Sequence, residues 1–187
     1  YTATGTATSY RDLFASENAQ SSEIILARDY NSSLGVFHNM NFYTISPSFG
    51  KPGMTRKLVD SYLMADGTRF TDKEGWKKME FKQQCMNRDP RLSQTIRTPG
   101  YMRIGGTTKL APDLASSITG YHLVKFVTGT AQDGYDKSFN DLPIFRSAEV
   151  YLNYAEAKAE LGTLTQSDID MSIKKLRDRV GMPNLDL

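Results

Sequence analysis

The 187 residues (21.0 kDa) carry 23 Lys or Arg against 21 Asp or Glu, with both signs scattered along the chain. That length builds one sizeable core or two small lobes, and the charge balance leaves no basic stripe for a phosphate backbone, which argues against nucleic acid as a partner. No apolar run approaches the roughly 20 residues of a membrane-spanning helix, and a single Cys85 with only His38 and His122 can build neither an internal disulfide nor a Cys/His metal cluster, so no cofactor or metal is expected.

The opening Tyr1–Ser9 is small and polar and reads as a loop or a frayed end. It starts with Tyr rather than Met and contains no basic-then-apolar leader, so the chain is read as a mature or truncated piece, with any export or lipidation signal lying outside it. Tyr10–Ala15 has the makings of a helical turn, and the apolar run within Glu23–Tyr30 reads as a buried strand or extended segment. From Asn31 to Gly53 the chain is rich in Asn, Ser, Gly, Pro and aromatics without helical period, a long loop of the functional or mobile sort. Thr55–Ala65 follows as a short helix with Leu58, Val59, Tyr62 and Leu63 on one face and Gly67 beyond its end. Trp76–Met86 is a weaker helix between Gly75 and Pro90. Arg91–Arg97 and Tyr121–Val127 are the best strand candidates, separated by the turn-rich Pro99–Thr119 and followed by the polar loop Thr128–Asn140.

The C-terminal part is cleanly helical. Ser147 is placed to cap a helix from Ala148 to Leu161 that Gly162 stops, with Ala148, Tyr151, Leu152, Ala155 and Ala159 on one face. Thr165 and Asp168 form a capping box for a second helix, whose Ile169, Ile173, Leu176 and Val180 repeat at helical spacing up to Gly181 and Pro183. Two helices joined by a short turn make an antiparallel hairpin of the tetratricopeptide kind, which needs neighbours to bury both faces. The expected fold is therefore mainly α: a helical hairpin over 141–187, and an irregular α+β region with short strands over 1–140 that faces a ligand.

These segments also carry a resemblance. Leu58-Val-Asp-Ser-Tyr62 with Asp66-Gly67, Asn87-Arg-Asp-Pro-Arg-Leu92, Gly120-Tyr-His-Leu-Val-Lys-Phe126, Arg146-Ser-Ala-Glu-Val-Tyr-Leu-Asn-Tyr-Ala-Glu-Ala157 and Leu176-Arg-Asp-Arg-Val-Gly181 appear in order. Together they resemble the SusD/RagB family of cell-surface nutrient-binding lipoproteins, of which this chain looks like an internal portion. The resemblance implies a SusD-like fold and a protein tethered by lipid, through an anchor outside this chain, to the outer membrane of a Bacteroidetes-type bacterium and facing outward. It implies non-catalytic binding of glycan or other nutrient oligomers, and handover to a SusC-like TonB-dependent transporter. An extracellular glycan hydrolase domain and a helical-repeat protein adaptor are the alternatives.

A sugar presents an apolar C–H face to an aromatic ring while its hydroxyls seek polar groups at the rim. Trp76, between Gly75 and two lysines, is the first aromatic candidate; Tyr43 and Phe49 lie in the long loop, and Tyr101 follows the Pro99-Gly100 turn. The blander reading of each is a core anchor. Arg88, Asp89 and Arg91 read as a structural knot around Pro90 rather than an anion clamp. Glu149, Glu156 and Glu160 read as a solvated helix face rather than a glycosidase pair. Neither histidine has a companion that would make it a general base, there is no Gly-x-Ser-x-Gly elbow, and Gly105-Gly106-Thr-Thr is too short for a phosphate loop.

Overall fold

The computed structural model describes residues 5–187 and is mostly helical, with one two-stranded sheet. The first four residues of the expected N-terminal loop lie outside the described part. Helix α1 (Ser9–Ala15) buries Tyr10, Leu13 and Phe14, and these pack with Ile24, Val180 and Met182, so the two ends of the chain share one core. Strand β1 (Ile24–Arg28) pairs antiparallel with β2 (Leu142–Arg146), and Pro143 sits in the latter as an edge strand permits. The strand expected within Glu23–Tyr30 is present but only partly buried: Ile24 joins the core, while Ile25 is 62 % and Leu26 49 % exposed, because a two-stranded ribbon has little to cover it.

Between the strands the chain departs further from its sequence pattern. The long loop Asn31–Gly53 contains a 3-10 turn at Ser32–Leu34 and a helix, α2 (Met40–Ile45). Helix α3 is shorter than expected, Arg56–Ser61, with the Thr55 hydroxyl accepting from the Leu58 N–H at 3.2 Å; Val59 is buried while Leu58 is exposed. The expected Trp76–Met86 helix divides into a 3-10 turn, Trp76–Lys78, and α4 (Phe81–Gln84), because Met79 and Glu80 take extended backbone angles between them.

The strand expected over Arg91–Arg97 is instead helix α5 (Pro90–Thr95). Pro90 occupies its first position, where the missing N–H costs nothing, and the Asp89 carboxylate accepts from the Arg91 N–H at 2.9 Å. Leu92 and Ile96, apolar at a four-residue interval, are buried as the helical period requires. Tyr121–Val127 forms no strand either. Only single bridges, Gly53 to His122 and Ile96 to Leu123, mark it, and Phe126 at φ +73° ends the extended run.

Helix α6 spans Ser147–Glu160, with Arg146 rather than Ser147 at the cap position and no side-chain cap bond. Gly162 stops it at φ +66°, a conformation that favours glycine. Of its expected buried face Ala148 and Ala155 are buried, Tyr151 is half-buried, and Leu152 and Ala159 are exposed. The capping box holds: the Thr165 hydroxyl and the Asp168 carboxylate each bond the other's backbone N–H, at 3.2 and 2.9 Å. The second helix is broken in two, α7 (Gln166–Met171) and α8 (Ile173–Asp178). At the break, Ser172 leaves helical angles and its hydroxyl donates to the Asp168 carbonyl at 2.5 Å, the competition with the backbone ladder to which serine is prone.

One buried carboxylate closes this arrangement. Glu23 accepts from Arg179 Nη1 at 2.5 Å on both oxygens and from Arg146 Nη1 at 2.9 Å, and its carbonyl accepts from the Ser147 N–H at 2.9 Å. Burial, the largest single influence, opposes ionisation of Glu23, but the hydrogen bonds and positive charge around it, Arg179 foremost, together outweigh it and hold the carboxyl below its ordinary range. Glu23→Gln strands two guanidinium groups and should cost about 3–5 kcal/mol, read as a lower urea midpoint at unchanged slope. Asp168 is likewise held low, by the Thr165 hydroxyl at 2.6 Å and by the Tyr154 hydroxyl. A depressed folded value means its contribution is complete above the ordinary carboxylate pKa and fades as pH falls. Between about pH 4 and pH 2 the Tm of Asp168→Asn should therefore fall less steeply than that of the parent chain.

Candidate glycan-binding surfaces

Two surfaces collect three of the four aromatic residues singled out in the sequence. The first is an exposed patch built on α2. Asn41 is fully buried and ties α2 to the loop after Thr128: its amide N–H groups donate to the Gln132 carbonyl and to Asp133 Oδ1, both at 2.9 Å, and its Oδ1 accepts from the Thr128 N–H at 3.3 Å. Next to it, Asn39 and Asp136 exchange two bonds at 2.6 Å, which hold the Tyr135 segment alongside. Gly50 lets the chain turn back over α2. It sits at φ +63°, and an added Cβ would lie 2.5 Å from the Tyr43 carbonyl oxygen, so no other residue fits there without displacement. The outcome is a ring cluster centred on Phe42, whose centroid lies 5.6 Å from each of Tyr43, Phe49 and Tyr135. The outer three are 41 %, 53 % and 59 % exposed.

The second surface is a groove of about 780 Å³ around Trp76. Helix α3 supplies Arg56, Lys57 and Asp60 to one wall; a tight turn at Asp66–Thr68 and the 3-10 turn Phe70–Asp72 supply Arg69 and Phe70 to the other. Trp76 meets the buried Phe70 edge-to-face at 5.9 Å, with the Arg56 guanidinium 5.6 Å and the Lys77 ammonium 5.5 Å from its ring centre. Arg88 holds the groove from beneath. Buried, it donates to the carbonyls of Val59, Tyr62, Leu63 and Gln84 at 2.7–3.3 Å and lies 3.8 Å over the Phe70 ring. Asp89 binds Arg91 in a fork at 2.5–3.1 Å. These contacts are the structural knot expected around Pro90.

The structure thus brings Tyr43 and Phe49 together, joins to them Phe42 and Tyr135, and leaves Trp76 half-buried in a separate groove. Tyr101 is elsewhere. It is 8 % exposed, packs with Val124 and Val127, and lines a smaller hollow of about 210 Å³ together with Arg97, Arg103 and His122. Tyr135 carried the same signal as Tyr43, an aromatic in a polar loop, but lay 92 positions away. Both histidines are pushed toward the neutral form by burial, with Nε2 of each bound to a carbonyl, Asn140 for His38 and Thr44 for His122. Neither lines the groove. Glu149, Glu156 and Glu160 are exposed, as a solvated face requires.

With the geometry in view, the profile of the SusD family matches residues 13–187. The chain belongs to the SusD family. Among solved structures, a SusD-like carbohydrate-binding protein from Bacteroides fragilis is similar at 27% identity and a TM-score of 0.72, covering 97% of this chain and 39% of its own. A second SusD-like protein from the same organism is similar at 25% identity and a TM-score of 0.67, covering 97% of this chain and 40% of its own. This SusD-family chain therefore spans about two fifths of the length of the solved relatives it matches. A comparison with curated proteins finds no match. No helix among the described residues is long and apolar enough to cross a membrane.

The Arg88 knot is the part of this site most sensitive to change. Arg88→Lys offers one ammonium to four carbonyls and should destabilise the chain by about 1–3 kcal/mol. The chain has one tryptophan, so a shift in its emission will show whether Phe70 and Trp76 have moved with it.

Proposed function

We propose that this chain is the ligand-facing portion of a non-catalytic glycan-binding protein of the cell surface. Residues 1–140 would meet the ligand and 141–187 would be the scaffold hairpin. The reading rests on one observation: Tyr43 and Phe49 lie beside Phe42 and Tyr135 as an exposed cluster on a polar, well-anchored mount. The rings meet at steep angles, up to 85° between Phe42 and Tyr135, so they turn faces in several directions. A saccharide chain could lay the C–H face of one unit on one ring and of its neighbour on another. The groove supplies one carboxylate, Asp60, already approached by Arg56 at 3.4 Å, where glycoside hydrolysis calls on two facing carboxyls.

Capture by stacking and rim hydrogen bonds is weak and reversible, which suits a protein that hands its ligand on. In the whole protein we place the chain at the outer membrane, held by a lipid anchor outside the chain, with a SusC-like TonB-dependent barrel as the recipient. Support for this comes from family membership and from the carbohydrate-binding character of the similar Bacteroides fragilis protein.

The test is calorimetric titration with neutral oligosaccharides chosen from a glycan array. Tyr43→Ala and Phe49→Ala should each weaken binding about tenfold, near 1.4 kcal/mol, with Tm within a few degrees of the parent. Undiminished binding in both variants, or the appearance of new reducing ends on incubation, would overturn the proposal.

A further inference from the structure

The Trp76 groove is more than a second aromatic surface, because its charge is one-sided. Its lining carries four cations, Arg56, Lys57, Arg69 and Lys77, and one carboxylate, Asp60. Arg56 is committed, through Nε to Asp60 at 3.4 Å and through Nη2 to the Lys77 carbonyl at 3.2 Å. Lys57, Arg69 and Lys77 are exposed and have no carboxylate partner among the described residues. The excess is local. Positions 51 to 91 carry ten Lys or Arg against six Asp or Glu, whereas the rest of the chain carries thirteen against fifteen.

Three cations without an ion-pair partner around one concavity raise the local concentration of anions, although Asp66 and Asp72 share the adjoining hollow with Arg69, and apolar walls such as Phe70, Leu63 and Trp76 focus that field rather than dissipating it. Lys77 is turned over the Trp76 ring, which fixes a flexible ammonium beside a surface suited to a sugar face. We infer that this groove binds an acidic saccharide: the ring of one unit packs on Trp76, and its carboxylate or sulfate ester is met by Lys57, Arg69 and Lys77. The volume, about 780 Å³, lies within the roughly 300–1,000 Å³ of small-ligand sites. It is an open groove of limited extent rather than a long basic stripe, which favours a short acidic glycan over a nucleic-acid backbone. The inference narrows the ligand class of the glycan-binding reading and rests on it, but on different residues.

Trp76 is the chain's one tryptophan, so its fluorescence reports this groove and not the Phe42 patch. The full chain is titrated with oligosaccharides of equal length that are neutral, uronate-bearing or sulfated, at ionic strengths of about 0.05 and 0.5 M. Acidic glycans should change Trp76 emission and bind at least about tenfold tighter than the neutral one at low salt, with the advantage shrinking at high salt. The uronate and sulfate arms identify which anion is preferred. Combined Lys57→Gln, Arg69→Gln and Lys77→Gln, all at exposed positions, should abolish that advantage. Equal affinity for neutral and acidic glycans, or an unaffected triple variant, overturns the inference while the Tyr43 and Phe49 result stands. Tighter binding of a single-stranded oligonucleotide of matched charge overturns it in favour of a phosphate site. No saccharide binding by the parent chain, or binding that none of Tyr43→Ala, Phe49→Ala and Trp76→Ala weakens, would defeat the broader reading instead.

Discussion

The fold depends on a single buried carboxylate. Glu23 receives Arg146, where α6 begins, and Arg179, just beyond α8, so the two ends of the C-terminal hairpin meet at a residue contributed by the N-terminal part. Taking three charges out of water is unfavourable unless every one of them is met, so such a triad sets geometry more than it adds stability. The geometry it sets reaches the candidate surfaces. With β1 held against β2, α1 lies on α5, where the Arg11 N–H donates to Gln94 at 3.0 Å, and α5 carries at its start the Arg88–Asp89 pair that carries the Trp76 groove. The same α1 offers Phe14 to the Lys125 ammonium, 3.9 Å from the ring, which draws the middle segment onto the shared core.

How far the sequence discloses this depends on whether the governing contact is local. Thr55, Thr165 with Asp168, Gly162 and Gly181 act within four residues of themselves, and each does what its spacing implies. The Arg91–Arg97 segment misleads because two apolar residues four apart satisfy a strand and a helix equally. The deciding signal, Asp-Pro at a helix start, is in the sequence, but Asp-Pro serves a turn as readily as a helix cap. Tyr121–Val127 has strand-like composition, yet no second run exists for it to pair with, and single bridges are all it can make. Glu23 itself gave no warning: a lone Glu before an apolar run is ordinary, and its role follows only from partners 123 and 156 positions away.

The site follows the same rule. Tyr43 and Phe49 could be singled out as aromatics in an irregular polar stretch, and they do lie together at the surface. Tyr101 meets the same criterion but lies apart from them, because a turn-flanking aromatic is as ready to fold inward, and here Val124 and Val127 give it somewhere to go. Trp76 was recognisable as a candidate, but its cationic rim was not, since Lys57, Arg69 and Lys77 are scattered over 21 positions and the chain as a whole is nearly neutral.

The Asn41 mount has a consequence for the exposed positions around it. The amide of Asn41 grips backbone carbonyl and N–H groups and one aspartate, and none of its bonds involves the rings that flank it. The outer rings therefore ride on a frame indifferent to their identity, and exchanges at such exposed positions cost little, commonly within about 0.5 kcal/mol. Side chains at 43, 49 and 135 are thus free to drift among Tyr, Phe, Leu or polar residues without jeopardising the architecture that carries them.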